Sequence, residues 1–177
     1  MSSKKYSYLI LFLLVYSACK TERSKLAPYG PVFENVMRVD SGAFRGFNLG
    51  DKLDSVLKLE EGKPTETDDG YLYFEYKMKD SLGSFNITYN FDEDGLNEIQ
   101  SDIFIQDPSK TDTVLSGFKK YLDEHYGPDE DHMGFIVWTV KSENYGDVRI
   151  NLSDESSDLT TPGSPGKISL WIYPDKD

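Results

Sequence analysis

Nucleophilic and acid–base catalysis near neutral pH usually runs through a cysteine, serine or histidine held beside a partner base. This chain has one cysteine, Cys19, and two histidines, His125 and His132. His125 falls near the end of a helical apolar pattern, where a cation suits the helix dipole. His132 lies in the loop "GPDEDHMG". Neither G-x-S-x-G, nor a phosphate-binding G-x-x-x-x-G-K-[ST], nor H-E-x-x-H occurs in the chain. Carboxylates are plentiful, at 31 Asp and Glu, so the remaining chemistry is that of hard oxygen ligands. Asp129, Asp131 and His132 form the densest such group, with an imidazole beside carboxylates, and are the candidate metal ligands. The ordinary reading of the same residues is a solvated acidic loop. Asp92, Asp94 and Gly95 imitate the opening of a calcium loop, but no Glu closes it, and a hairpin turn explains them better. No catalytic residue and no cofactor are assigned, and the chain is expected not to be an enzyme.

Cys19 has a different use. Lys4 and Lys5 precede the uncharged stretch 8–16, which leads into Ser17, Ala18 and Cys19. Basic residues, a short apolar run and small residues before a cut are the layout of a secretory signal. The run is shorter than the roughly twenty apolar residues needed to cross a bilayer. Tyr16-Ser17-Ala18-Cys19 resembles the bacterial lipobox, although Tyr16 stands where Leu is usual. That resemblance implies cleavage before Cys19 and lipid attachment to it. Residues 1–18 are then the signal peptide and residues 19–31 a lipidated tether carrying Pro28, Gly30 and Pro31. Lys20 follows the cysteine where an Asp would imply retention at the inner membrane. The expected location is therefore the outer membrane, with either face possible.

Net charge narrows the partners. The chain carries −12, and loss of Lys4 and Lys5 with the signal takes it to −14. Such a polyanion repels nucleic acid and anionic lipid surfaces. The expected contacts are a protein partner in the envelope and the membrane through the Cys19 anchor, with no nucleic acid.

The elements follow from hydrophobic period. Val32, Phe33, Val36 and Met37 read as one helical turn, and Ala43-Phe44 as a short strand. Leu49, Leu53, Val56 and Leu57 recur at helical spacing, with Asn48 or Asp51 as cap and Gly62-Lys63-Pro64 as stop. Residues 71–76 form a dense aromatic strand. Phe85, Ile87, Tyr89 and Phe91 alternate with polar residues, residues 92–95 supply a turn, and Ile99, Ser101, Ile103 and Ile105 return. The order then recurs. Val114, Leu115, Phe118, Tyr121, Leu122 and Tyr126 draw a longer helix face that stops at Gly127-Pro128. Strands follow at 135–140, at Val148, Ile150 and Leu152, and at Ile168, Leu170 and Ile172.

The expected architecture is α+β: tandem duplicated αβββ units, residues 32–106 and 107–177, forming one antiparallel sheet with two helices on one face. Leu49-Gly50, Leu53, Val56, Gly62 and Pro64 resemble the helix opening of the small lipoprotein of the outer-membrane barrel-assembly machine. Asp51-Lys52 replaces the Met-Thr of that pattern. The tandem order resembles the β-lactamase inhibitor protein fold. These resemblances imply protein-binding relatives and no chemistry. The expected function is a lipid-anchored, non-catalytic protein-binding or scaffold module of the envelope. An inhibitor or immunity-type protein that blocks a hydrolase is the first alternative, and a sugar- or calcium-binding protein the second. Tyr71, Tyr73, Trp171 and Tyr173 alternate with apolar neighbours that serve the core, so these four are the candidate binding patch.

Overall fold

The computed structural model describes residues 25–132, 134–142, 145–159 and 161–175. Three helices are found among them: α1 (Pro31–Met37), α2 (Leu53–Leu59) and α3 (Thr111–Tyr126). Eight strands make one antiparallel sheet. In chain order they are β1 (Glu66–Asp68), β2 (Tyr71–Lys77), β3 (Gly83–Asp92) and β4 (Gly95–Ile105), then β5 (Glu130–His132), β6 (Phe135–Ser142), β7 (Gly146–Asp154) and β8 (Gly166–Pro174). The spatial order is β1-β2-β3-β4-β8-β7-β6-β5, so β4 and β8 pair antiparallel at the centre.

Two details differ from the sequence reading. Each run has four strands rather than three, because β1 and β5 pair with the outer side of β2 and β6. Both are three residues long, and the β1 side chains are all exposed. Short, charged outer strands blunt the edges that would otherwise recruit further chains. The second is the helix count: α1, read from the sequence as one helical turn, is a third helix, and its Val32, Phe33, Val36 and Met37 are all buried. Pro31 occupies its first turn, where the missing N–H costs nothing.

Strand alternation divides the side chains as the period predicts. Leu72, Phe74, Ile87, Tyr89, Ile99 and Ile103 lie in register on neighbouring strands and are buried. Ile168, Leu170, Ile172, Ile150 and Leu152 continue that layer across β8 and β7. The helix residues Val36, Val56, Phe118, Tyr121 and Leu122 belong to the same core. The turn at Glu93-Asp94 closes as expected, with the Asp94 amide donating to Asp92 Oδ1 at 2.9 Å. Gly95 has φ +125°, and a Cβ there would lie 2.5 Å from the Gly50 carbonyl oxygen. The turn and the approach of the 48–51 loop both require glycine.

The stretch 19–31 was expected to be a tether. Its described part, from Lys25, is instead packed against the body. Leu26 is 1% exposed, and residues Ala27–Tyr29 form a 3₁₀ turn over α3. Tyr29 stacks edge-on against Tyr121 at 5.1 Å and donates its hydroxyl to Glu124 Oε2 at 2.5 Å. That hydrogen bond, with some burial, pushes the Tyr29 phenol up to about 12. Gly117 makes this packing possible. Glycine inside a helix costs about 1 kcal/mol against alanine, yet a Cβ at Gly117 would sit 2.2 Å from the Tyr29 carbonyl oxygen. The apolar residues 26 and 29 are what the proline and glycine pattern of the segment concealed.

Helix α2 also departs from expectation. It starts at Leu53 without a side-chain cap: Asp51 Oδ2 accepts from the Asn48 amide at 2.9 Å instead. Val56 is fully buried, but Leu57 is 40% exposed. Glu60, whose extended backbone ends the helix before Gly62 is reached, is the next buried residue. Helix α3 keeps the expected face, with Phe118, Tyr121 and Leu122 buried and Gly127 closing its C-terminus.

Candidate functional site

The four candidate aromatics fall on the side of the sheet opposite the buried layer. In β2, Tyr71 and Tyr73 alternate with buried Leu72 and Phe74. In β8, Trp171 and Tyr173 flank Ile172, which is 1% exposed. Register connects them: Tyr73 is opposite Thr88, Thr88 opposite Gln100, and Gln100 opposite Trp171. Three strand spacings separate the two ends of that row, roughly 14 Å at about 4.8 Å per strand. The residues therefore form two pairs across a polar floor rather than one cluster. Trp171 and Tyr173 touch, with ring centroids 4.7 Å apart and planes at 44°. Trp171 is 39% exposed, and the three tyrosines are half-buried. Asn151, opposite Trp171, donates Nδ2 to the Tyr173 hydroxyl at 3.0 Å and so fixes that ring. The Tyr73 phenol is raised by partial burial and then by the charge of Glu75. The rings thus stand on paired strands around the side chains of Thr88 and Gln100.

The other candidates are dispersed. Cys19 lies outside the described residues. Asp129 pairs with Lys119, which also bridges Asp123 at 2.8 Å. His132 is exposed in β5 opposite Phe135. The backbone of Asp131 is in β5 opposite Ile136, and its side chain lies outside the description. Among the described residues, no group of three His, Cys, Asp or Glu is arranged to hold a metal ion. His125 stacks on Tyr121 at 3.9 Å and reaches Asp40 Oδ1 at 3.3 Å, which ties α3 to the loop after α1.

The most concentrated polar chemistry went unrecognised in the sequence. Arg45 is 1% exposed and Glu60 is 6% exposed. Arg45 donates Nε to Glu60 Oε2 at 3.0 Å and Nη2 to Oε1 at 2.7 Å, a two-pronged ion pair. The remaining guanidinium nitrogen, Nη1, donates to the Val36 carbonyl at 2.5 Å. Tyr89 donates its hydroxyl to Glu60 Oε2 at 2.6 Å, and the Glu61 amide donates to Oε1 at 2.8 Å. The guanidinium lies over the Tyr76 and Phe85 rings at 5.0 and 5.5 Å. Arg38 adds a second cation at 3.4 Å from Glu60 Oε1.

Burial by itself would raise the Glu60 carboxyl, but the hydrogen bonds and charge of Arg45 outweigh it and hold the group below its ordinary range. For Arg45, burial opposes the charge and the Glu60 carboxylate again prevails, so its pKa is raised. Tyr89 is pushed well above the phenol range, first by burial and then by Glu60. Every oxygen of Glu60 is occupied, so this is a clamp joining α1, the 38–47 loop, the end of α2 and β3. The one sequence signal is "AFRGF", an arginine set between aromatic residues.

A cleft of about 540 Å³ lies between the 42–49 loop, Tyr126 at the end of α3 and the strands β6 to β8. Its floor is Val148, Ile150 and Ile172, and no carboxylate or imidazole lines it. Its ionisable lining is Tyr126 and Lys141. Among the described residues, no helix is long and apolar enough to cross a membrane. Comparison with known proteins returns no matching family model, no similar curated protein and no similar solved structure.

Proposed function

We propose that the chain is a lipid-anchored protein of the bacterial outer membrane, held through Cys19, that acts as a non-catalytic protein-binding module. The observation that carries this reading is the side of the sheet on which Tyr71, Tyr73, Trp171 and Tyr173 stand. They share it with Thr88 and Gln100, away from the buried layer. Aromatic rings on rigid strands lose little conformational freedom when covered and are the commonest anchors of protein interfaces. We also propose that the body is a duplication of one helix-plus-meander unit, with α2 and α3 covering the same face. The mirrored strand order about the β4–β8 junction supports that origin, as does the helix preceding each run of strands. The resemblance of residues 49–64 to the helix opening of the barrel-assembly small lipoprotein, and of the tandem order to the β-lactamase inhibitor protein fold, agrees with a protein partner.

A photo-crosslinking residue placed at Trp171 in cells is expected to give discrete protein adducts, whereas one at Lys58, exposed on α2, gives none. Loss of adducts at positions 171, 73 and 173 together overturns the binding reading. The anchor is tested separately. Cys19→Ser is expected to move the protein from the membrane to the soluble fraction, and a variant that stays with membranes without detergent overturns the lipid attachment.

A further inference from the structure

The charge on the exposed face is unevenly spread, and that unevenness selects the partner. Glu66 and Asp68 in β1 stand directly opposite Tyr73 and Tyr71, on the same side of the sheet. Glu75 follows them on the same side of β2, and Glu98 lies opposite Asn90 and accepts from its Nδ2 at 2.7 Å. Among the described residues none of these four carboxylates has an ion pair. Lys77 is the one lysine or arginine in β1–β4 on that side, at the far end of β2 against Ser84. The cations further across are already engaged, Arg149 with Asp175 at 2.8 Å and Lys167 with Glu155 at 2.8 Å and Asp102 at 3.4 Å. Two aromatic pairs therefore flank a floor of Thr88, Asn90, Glu98 and Gln100 with an unneutralised negative field over it.

We propose that this half of the face docks a basic polypeptide segment, whose arginine or lysine side chains lie over the tyrosine and tryptophan rings and pair with Glu66, Asp68 and Glu98. This rests on the protein-binding reading above and names the partner's chemistry. Ring faces attract cations through their quadrupole, most strongly at tryptophan, and adjacent carboxylates add to that attraction. A second copy of the chain brings the same carboxylates and a net charge of −12, and an anionic lipid surface is repelled in the same way. A neutral glycan would stack on the rings and donate its hydroxyls to the amides and carboxylates, but it brings no charge to the negative field over the floor.

The test uses the full chain in detergent and a short fluorescein-labelled peptide alternating arginine and serine, followed by anisotropy. Saturable binding is expected, weakening with salt above about 0.15 M. Trp171→Ala, and Glu66→Gln combined with Glu98→Gln, should each weaken it about tenfold or more, while Trp171→Tyr retains most of it. Asp54→Asn with Asp112→Asn removes the same charge from exposed helix positions and should change binding less than about twofold. Equal weakening by the helix pair, no saturable binding, or full-strength binding of a neutral chito-oligosaccharide by the Glu66/Glu98 variant each overturn the proposal. Adducts from position 171 without peptide binding strike the basic partner alone, whereas absence of both strikes the binding reading as well.

Discussion

Arg45→Met is expected to lower stability by about 3–5 kcal/mol, because it strips the buried Glu60 carboxylate of its two-pronged partner and leaves only the Arg38 cation at 3.4 Å. For a chain of this size that is a fall in Tm of roughly 6–20 °C. The pH dependence should invert as well. In the native protein the Glu60 carboxyl is held below its ordinary value. Its contribution is therefore fully present above the unfolded carboxylate pKa of about 4.3 and is lost as pH falls through the folded value. With Arg45 gone, burial is the main influence left and raises the carboxyl. The variant should then gain stability as pH falls through the raised folded value toward about 4.3, where the native protein holds constant or loses. Thermal melts across that pH range check both the size and the sign. A shift below about 2 °C, or parallel pH curves, would show that the clamp contributes little. Combining Arg45→Met with Glu60→Met and Tyr89→Phe removes all three polar partners and should recover part of the loss. The Val36 carbonyl, which accepts from Arg45 Nη1, is left without that donor, so recovery should be incomplete.

Phe118→Ala should cost a similar amount, about 3–5 kcal/mol. Phe118 is 1% exposed and packs edge-on against Phe33 of α1 at 4.8 Å. The cavity would open where α1, α3 and the sheet meet. Lys58→Ala, at an exposed position of α2, should change stability by less than about 0.5 kcal/mol. The variant and the native protein should each melt in one transition, because β4 and β8 share a continuous ladder from Ile99↔Ile172 to Ile105↔Gly166. Two separated transitions by calorimetry would mean that the two strand runs fold independently despite that ladder. A neutral Phe118→Ala would contradict the burial of this helix face.

The local pattern was sufficient for most elements. Phe85, Ile87 and Tyr89 alternate with polar residues, and only a strand with one buried side satisfies that period. The 3.6-residue period of Phe118, Tyr121 and Leu122 settled α3, and Gly127 its end. Strands β1 and β5 were illegible because "ETD" and "EDH" contain no apolar residue. They exist because the outer sides of β2 and β6 offer unpaired backbone groups, a property of the sheet and not of those triplets.

The clamp was hidden for another reason. Arg45 and Glu60 are fifteen residues apart, and each by itself reads as a surface charge. Only closure of the 38–47 loop onto α2 brings them together out of water, where ion pairing and Tyr89 make burial tolerable. The aromatic face is intermediate. Alternation in "YLYFEY" required Tyr71 and Tyr73 to oppose Leu72 and Phe74, and the sequence reading set the tyrosines outward although both sets are apolar. Only the fold shows the outcome, with Leu72 0% and Phe74 1% exposed and the Phe74 ring edge-on against Tyr89 at 5.9 Å. The same register carried Trp171 to the exposed side three strands away, a distance that no local pattern encodes.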